Sequence, residues 1–504
     1  MVRIAMCLLL VVGFFSSSCI RENSYPKEFT CHCSAIGLDS LWADSTKVSC
    51  LRIPVNRNSN APTKEKYYLA VAIAKSSCAD KEQPLLYLHG GPGIATLGNL
   101  PTYLTSTTWK LLREKHDLIF FDYRGTGFSE PALCMDMEDS LAAFSEKNSS
   151  SKAKEEYEIS LYKKCREKLQ AEGTDLASFT SFQSATDAEE IRKALQIKEW
   201  SIYGVSHGTT VALNLIRSFP TAIKNVILDS PFPPNSPWPD FIRPFEVSFK
   251  VLENNMLNDS IAASAFPFLR RDFVNAVSRL NKNPAMLSYE ENDTVTKYEY
   301  SGNDFAWSIW NALLKPRAIP YVPLAIHEVG NGNDSILQQW STAFSTSGGY
   351  GKFSEPQSNA ILCYECRPQR EEDSDPSLIL RYPDFASFAV YETKLCDVWR
   401  PELPDKKVFE PVVSDLPVLI LSGEYDPVCP PILGELTAKT LSNSILIVVP
   451  SASHAAIHAD DCLRTFANNF ISNPTKKIVP ACVHERVKIK FITNGLSKAL
   501  SQAH

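Results

Sequence analysis

Six short apolar runs constrain this chain more than anything else in it, because each is too short for a helix and each stops at a turn-forming residue. They are LLYLHGG (85–91), DLIFFD (117–122), WSIYGV (200–205), NVILDS (225–230), PVLILSG (417–423) and SILIVVP (444–450). A run of this kind reads as a strand buried on both faces. Helical patterns lie between several of them: SATDAEEIRKALQ over 184–196, with acids early and Arg192 and Lys193 later, and HGTTVALNLIRS over 207–218. Strands alternating with helices predict an α/β fold, a mostly parallel sheet with helices on both faces.

The pattern changes between Phe232 and Lys407. Buried-type strands are lacking there, and helical patterns such as DFVNAVSRL (272–280) and NDFAWSIWNALL (303–314) dominate. The expected organisation is a leader over residues 1–19, a sheet core in two parts, 20–231 and 408–504, and a mainly helical insertion over 232–407. In the leader, Arg3 precedes an apolar run from Ile4 to Phe15, well short of the ~20 residues a membrane span requires, so an export signal is expected. Ser16, Ser17 and Ser18 before Cys19 resemble a bacterial lipoprotein signal with Cys19 lipidated; the match is loose at Ser16, where Leu is usual, and the alternative is ordinary cleavage nearby.

Export makes the 14 cysteines understandable as disulfides, and Cys134–Cys165, Cys363–Cys396 and Cys462–Cys482 are the plausible bridges. The close pairs Cys31 with Cys33 and Cys363 with Cys366 lack the second pair that a zinc site needs, so no metal is expected. The net charge of −6 arises from interspersed signs without a basic stripe, which argues against nucleic acid as a partner. The only membrane association expected is through the N-terminal lipid.

GVSHG (204–208) sits between a strand and a helix. Ser206 either caps that helix or is a nucleophile raised above the sheet on a tight turn, for which Gly204 and Gly208 leave room. A nucleophilic serine needs a base in reach and a group to orient that base. In the chain order serine, acid, histidine, Asp426 follows the strand ending near Ser422, and His454 follows the strand ending near Val449. Asp229, Glu424 and His458 compete for these roles. Backbone N–H groups of Gly91, in HGGPG, and of His207 are the expected oxyanion donors.

With those motifs in order, the chain resembles the proline iminopeptidase and tripeptidyl aminopeptidase group of α/β-hydrolase serine peptidases. The resemblance rests on LHGGPG (88–93), DYRGTGFSEP (122–131), TDAEEIRKAL (186–195), YGVSHGTT (203–210), LDSPFPP (228–234), GEYDPVCP and SASHAA. It implies an exported exopeptidase, with no cofactor, that forms an acyl-enzyme on Ser206 and releases one residue or a short peptide from a free N-terminus. It also implies a helical cap whose acids bind the substrate's ammonium; Glu365 is the candidate, the alternative being a solvated carboxylate beside a disulfide. His207 departs from the group, where Tyr is common. An esterase on the same scaffold and a non-catalytic peptide-binding lipoprotein are the competing readings.

Overall fold

The computed structural model describes residues 25–78, 80–134, 136–145, 151–236, 242–291, 294–344, 352–366, 394–400, 402, 404–474 and 479–495. The leader and Cys19 lie outside the described residues. The strands are β1 (Val48–Asn56), β2 (Lys66–Ala74), β3 (Leu85–Leu88), β4 (Leu118–Phe121), β5 (Trp200–Val205), β6 (Ile223–Asp229), β7 (Ala285–Glu291), β8 (Thr294–Tyr300), β9 (Val418–Gly423) and β10 (Ser444–Val449). Eight of them form one sheet in the order β1-β2-β4-β3-β5-β6-β9-β10, and β7 and β8 pair separately. From β4 through β10 the neighbours run parallel, whereas β1 with β2 and β2 with β4 are antiparallel. The parallel strands therefore end on one edge, where the loops after β3, β5, β6, β9 and β10 converge.

Alternate strand residues feed two apolar layers, because successive side chains point to opposite faces. Leu86, Leu88, Ile202 and Ile420 pack with Ala188 and Ile191 of the Ser181–Ala194 helix and with Val211 and Leu215 of the His207–Ser218 helix. On the other face, Tyr87, Tyr203, Val205 and Leu421 pack with Trp109, Leu463 and Phe466. Neither face of the central strands is left to water, which explains their unbroken apolar sequence.

Between β6 and β9 the helices Ile242–Leu257, Leu269–Lys282, Gly302–Leu313, Val322–Gly330, Leu337–Phe344 and Glu355–Glu365 accompany the β7–β8 hairpin. Phe245, Phe249, Phe273, Ile309 and Trp340 form a core there, and Tyr425, from the loop after β9, belongs to it. Ser248 donates to the Tyr425 carbonyl at 2.7 Å, and Asn255 donates to the Glu424 carboxylate at 2.9 Å. The insertion is thus fastened to the loop that carries Asp426. Disulfides join Cys134–Cys165, Cys363–Cys396 and Cys462–Cys482, the three pairs expected, together with Cys33–Cys50. Cys31, Cys78 and Cys429 are thiols.

Arg124, from the RGTGFS loop, is fully buried against Asp187 in the Ser181–Ala194 helix, with contacts of 2.5 and 2.7 Å. The same guanidinium donates to the carbonyls of Asn56 and Arg57, so one side chain ties the loop, the helix and the end of β1 together. Burial raises the Asp187 pKa while Arg124 opposes the rise. Removing one partner strands the other charge in a dry site, so Asp187→Ala is expected to lower stability by about 3–5 kcal/mol. A urea melt measures this, and a loss below about 1 kcal/mol would show that the pair is not a clamp.

Candidate active site

Ser206 follows β5 with φ 55° and ψ −129°, a conformation that L residues seldom adopt. An ordinary N-cap is extended and accepts a backbone N–H through its side chain, whereas the Ser206 side chain makes no such bond. The turn is held by its main chain. Ser206 N–H donates to the Asp229 carbonyl at 3.0 Å, and its own carbonyl accepts from Thr209 N–H at 2.8 Å and from the Thr209 hydroxyl at 2.6 Å. The glycines provide clearance: a Cβ on Gly208 would lie 2.0 Å from the Leu88 carbonyl oxygen, and one on Gly204 would lie 2.7 Å from the Gly208 oxygen.

Asp426 and His454 come together as their chain order anticipates. His454 Nδ1 lies 2.8 Å from Asp426 Oδ2, and Asp426 Oδ1 accepts from the N–H groups of Val428 at 2.9 Å and Cys429 at 2.8 Å. Burial works against charge on both groups, yet their mutual attraction and hydrogen bonds outweigh it. The Asp426 carboxyl is left below its usual range and the His454 imidazole above its own. His454 lines a cavity of about 590 Å³ that it shares with Ser206, Gly90 and Gly91. The HGG loop packs directly on the serine, since a Cβ on Gly90 would fall 2.8 Å from Ser206 Cβ.

The competing residues have other partners. The Asp229 carboxylate accepts from Ala456 N–H at 2.7 Å, Ile457 N–H at 3.1 Å and the Tyr203 hydroxyl at 3.2 Å. Burial raises its pKa to about 6, against these bonds and the charge of His454. Ser230 accepts from Ala455 N–H at 3.0 Å, so the end of β6 holds the segment after His454 in place. Glu424 accepts from Asn255 and from Ser451 N–H. His458 lines the cavity but is turned to the Thr108 hydroxyl at 2.8 Å, and burial lowers its pKa to about 4.

Two side chains beside the serine have partners that the sequence does not specify. The His207 ring is buried, with Nε2 2.8 Å from the Ser181 hydroxyl, and burial drops its pKa to about 3, so it is neutral. Ser181 in turn donates its hydroxyl and its N–H to Glu365, each at 2.6 Å. Glu365 does not line the Ser206 cavity, and its carboxylate is engaged by Ser181. It is a half-buried acid that bonds the end of the Glu355–Glu365 helix to the start of the Ser181–Ala194 helix. Cys429 is the other unanticipated neighbour. Its thiol is in hydrogen-bonding reach of Ser206 and is pushed up first by burial and then by Asp426, so it stays protonated.

The model of the alpha/beta hydrolase fold family matches residues 83–461. A tripeptidyl aminopeptidase of Streptomyces lividans is 25% identical over 229 residues, which cover 43% of this chain and 38% of that protein. This chain thus spans well under half the length of that relative. A probable proline iminopeptidase of Leptolyngbya boryana is 21% identical over 381 residues, 75% of this chain and 83% of its own. Serine protease Hip1 of Mycobacterium bovis is 23% identical over 455 residues, 84% of this chain and 85% of its own.

The His454–Asp426 pair has a pH signature. A raised imidazole pKa stabilises the fold fully below about 6.5 and loses that contribution as pH rises through the folded value. A depressed carboxyl contributes fully above about 4 and loses its share as pH falls through its own. Histidine NMR should place the His454 titration midpoint above about 6.5, and Asp426→Asn should bring it down. A midpoint unmoved by Asp426→Asn would mean that the carboxylate does not govern the imidazole.

Proposed function

This chain belongs to the alpha/beta hydrolase fold family, and from that premise we propose that it is a serine aminopeptidase, cleaving peptides from a free N-terminus through Ser206, His454 and Asp426. The observation that carries the reading is the 2.8 Å bond between His454 and Asp426 on the rim of the cavity that also holds the strained Ser206. The peptidase names of the relatives support the substrate class.

In this mechanism His454 Nε2 takes the proton from the Ser206 hydroxyl as its oxygen attacks the scissile carbonyl. Asp426, buried and doubly bonded by backbone N–H groups, holds the Nδ1–H tautomer and stabilises the imidazolium that forms. The N–H groups of Gly91 and His207 receive the oxyanion, and each such donor is worth ~10²–10³ in turnover. His454 returns the proton to the departing amine. Water then attacks the acyl-enzyme by the same steps in reverse roles. Because the neutral His207 ring adds no charge beside the nucleophile, its contribution is the main-chain donor. We place the enzyme in an oxidising, exported compartment, periplasmic or on the outer membrane; the four disulfides support that setting.

A serine-reactive fluorophosphonate should label the wild type and not Ser206→Ala, and Ser206→Ala should lose peptide hydrolysis by at least about 10⁴-fold while melting like the wild type. Peptides with a free N-terminus should be cut and their N-acetyl counterparts spared. Equal cleavage of both would exclude an aminopeptidase, and turnover of p-nitrophenyl esters alone would make the protein an esterase.

A further inference from the structure

Beyond its first turn, where Asp304 meets solvent, the Gly302–Leu313 helix of the insertion buries most of its positions, polar Ser308 and Asn311 included. Phe305, Ala306, Ile309, Ala312 and Leu313 fill the core of the insertion. Trp307, Trp310 and Asn311, with Leu314 at the C-cap, follow the spacing i, i+3, i+4, i+7 and form a single stripe. That stripe lies in the wall of the cavity that holds Ser206 and His454.

Asn311 stands out within it. The residue is 6% exposed, its amide is reached from the cavity, and no protein partner for that amide is seen among the described residues. The indole N–H of the adjacent Trp310 is also buried without an acceptor. A buried indole N–H is almost always paired, because an unmade bond forfeits its hydration without return. A cavity-facing amide with no protein partner, beside an indole N–H with no acceptor, is the polar equipment a wall needs when the partner arrives with the substrate. Together they offer donors from both residues and one carbonyl acceptor, the complement of a peptide C=O and N–H. Among the described residues of that wall there is no carboxylate, and Glu365 is engaged by Ser181.

We propose that Asn311 and Trp310 bind a neutral peptide unit of the substrate beside the scissile bond, while Trp307 and Leu314 receive an apolar side chain next to it. The inference rests on Ser206 acting as the nucleophile of a peptidase. It defines a substrate-binding residue and a preference: peptides with leucine or phenylalanine at that position over aspartate or lysine. The substrate's ammonium, a charged donor that calls for a charged acceptor, is bound away from this wall.

The test compares kcat/KM for a free-N-terminal peptide with that for p-nitrophenyl acetate, an ester with no peptide unit, in the wild type, Asn311→Ala, Asn311→Asp and Trp310→Phe. The peptide-to-ester ratio should fall by about tenfold or more in Asn311→Ala and by a smaller factor in Trp310→Phe, which loses the N–H and keeps an aromatic ring, though a smaller one than the indole. Asn311→Asp should lower the ratio as well. A ratio unchanged in both Asn311→Ala and Trp310→Phe would overturn the proposal, as would a higher ratio in Asn311→Asp, which would assign the ammonium to this wall. Wild-type preference for aspartate or lysine over leucine and phenylalanine would also overturn it. Fluorophosphonate labelling separates the two levels: wild type that fails to label defeats the nucleophile assignment, whereas labelling with an unaltered ratio defeats only the role of Asn311.

Discussion

Asp229 bonds to both halves of the site. Its main-chain carbonyl accepts the N–H of Ser206, and its carboxylate accepts the N–H groups of Ala456 and Ile457, just after His454. A turn at φ 55° costs on the order of 1–3 kcal/mol and persists only where its surroundings impose it. Here the surroundings are the end of β6, the Thr209 hydroxyl and a helix start that approaches β3 so closely that only glycine fits at position 208. The serine and the histidine loop are therefore referenced to one rigid strand end, although nearly half the chain separates them.

That arrangement also explains why two acids occupy neighbouring strand ends. Asp426 faces the imidazole directly and is charged, because backbone N–H groups and His454 offset its burial. Asp229 faces the backbone, and burial holds its pKa near 6. Chain order alone makes both plausible partners for His454. What separates them is the direction of the carboxylate, which depends on how the loop after β10 folds back over β6.

The parallel part of the fold is legible in the sequence because strands buried on two faces have no choice but to be continuously apolar. β5 at Trp200–Val205 and the helix at His207–Ser218 fall on the residues the pattern marks. The hairpin β7–β8 escapes the same reasoning for the opposite reason: Met286, Tyr289 and Val295 are exposed, so its strands never look like core. The antiparallel β1 and β2 went unread too, and with them the Cys33–Cys50 bridge that fastens to β1. Ser206, His454 and Asp426 could be read because each follows a recognisable strand. Glu365 could not be placed, because its position depends on Ser181, a serine at the start of a helix with nothing in its neighbourhood to mark it. The bridges at Cys134, Cys363 and Cys462 join cysteines 31, 33 and 20 residues apart, but spacing alone does not fix which cysteines pair.

The insertion between β6 and β9 has a consequence for biogenesis. During translation Ser206 emerges ahead of β6, whose Asp229 carbonyl holds its turn, and Asp426 follows roughly 220 residues after the serine, which at ~5–20 residues per second is on the order of 10 to 40 s. Throughout that interval the nascent polypeptide holds a hydroxyl with neither its carboxylate nor its imidazole partner. Under the proposed mechanism the three side chains can meet only once β9 and β10 have docked beside β6, so the last strands to be made complete the arrangement.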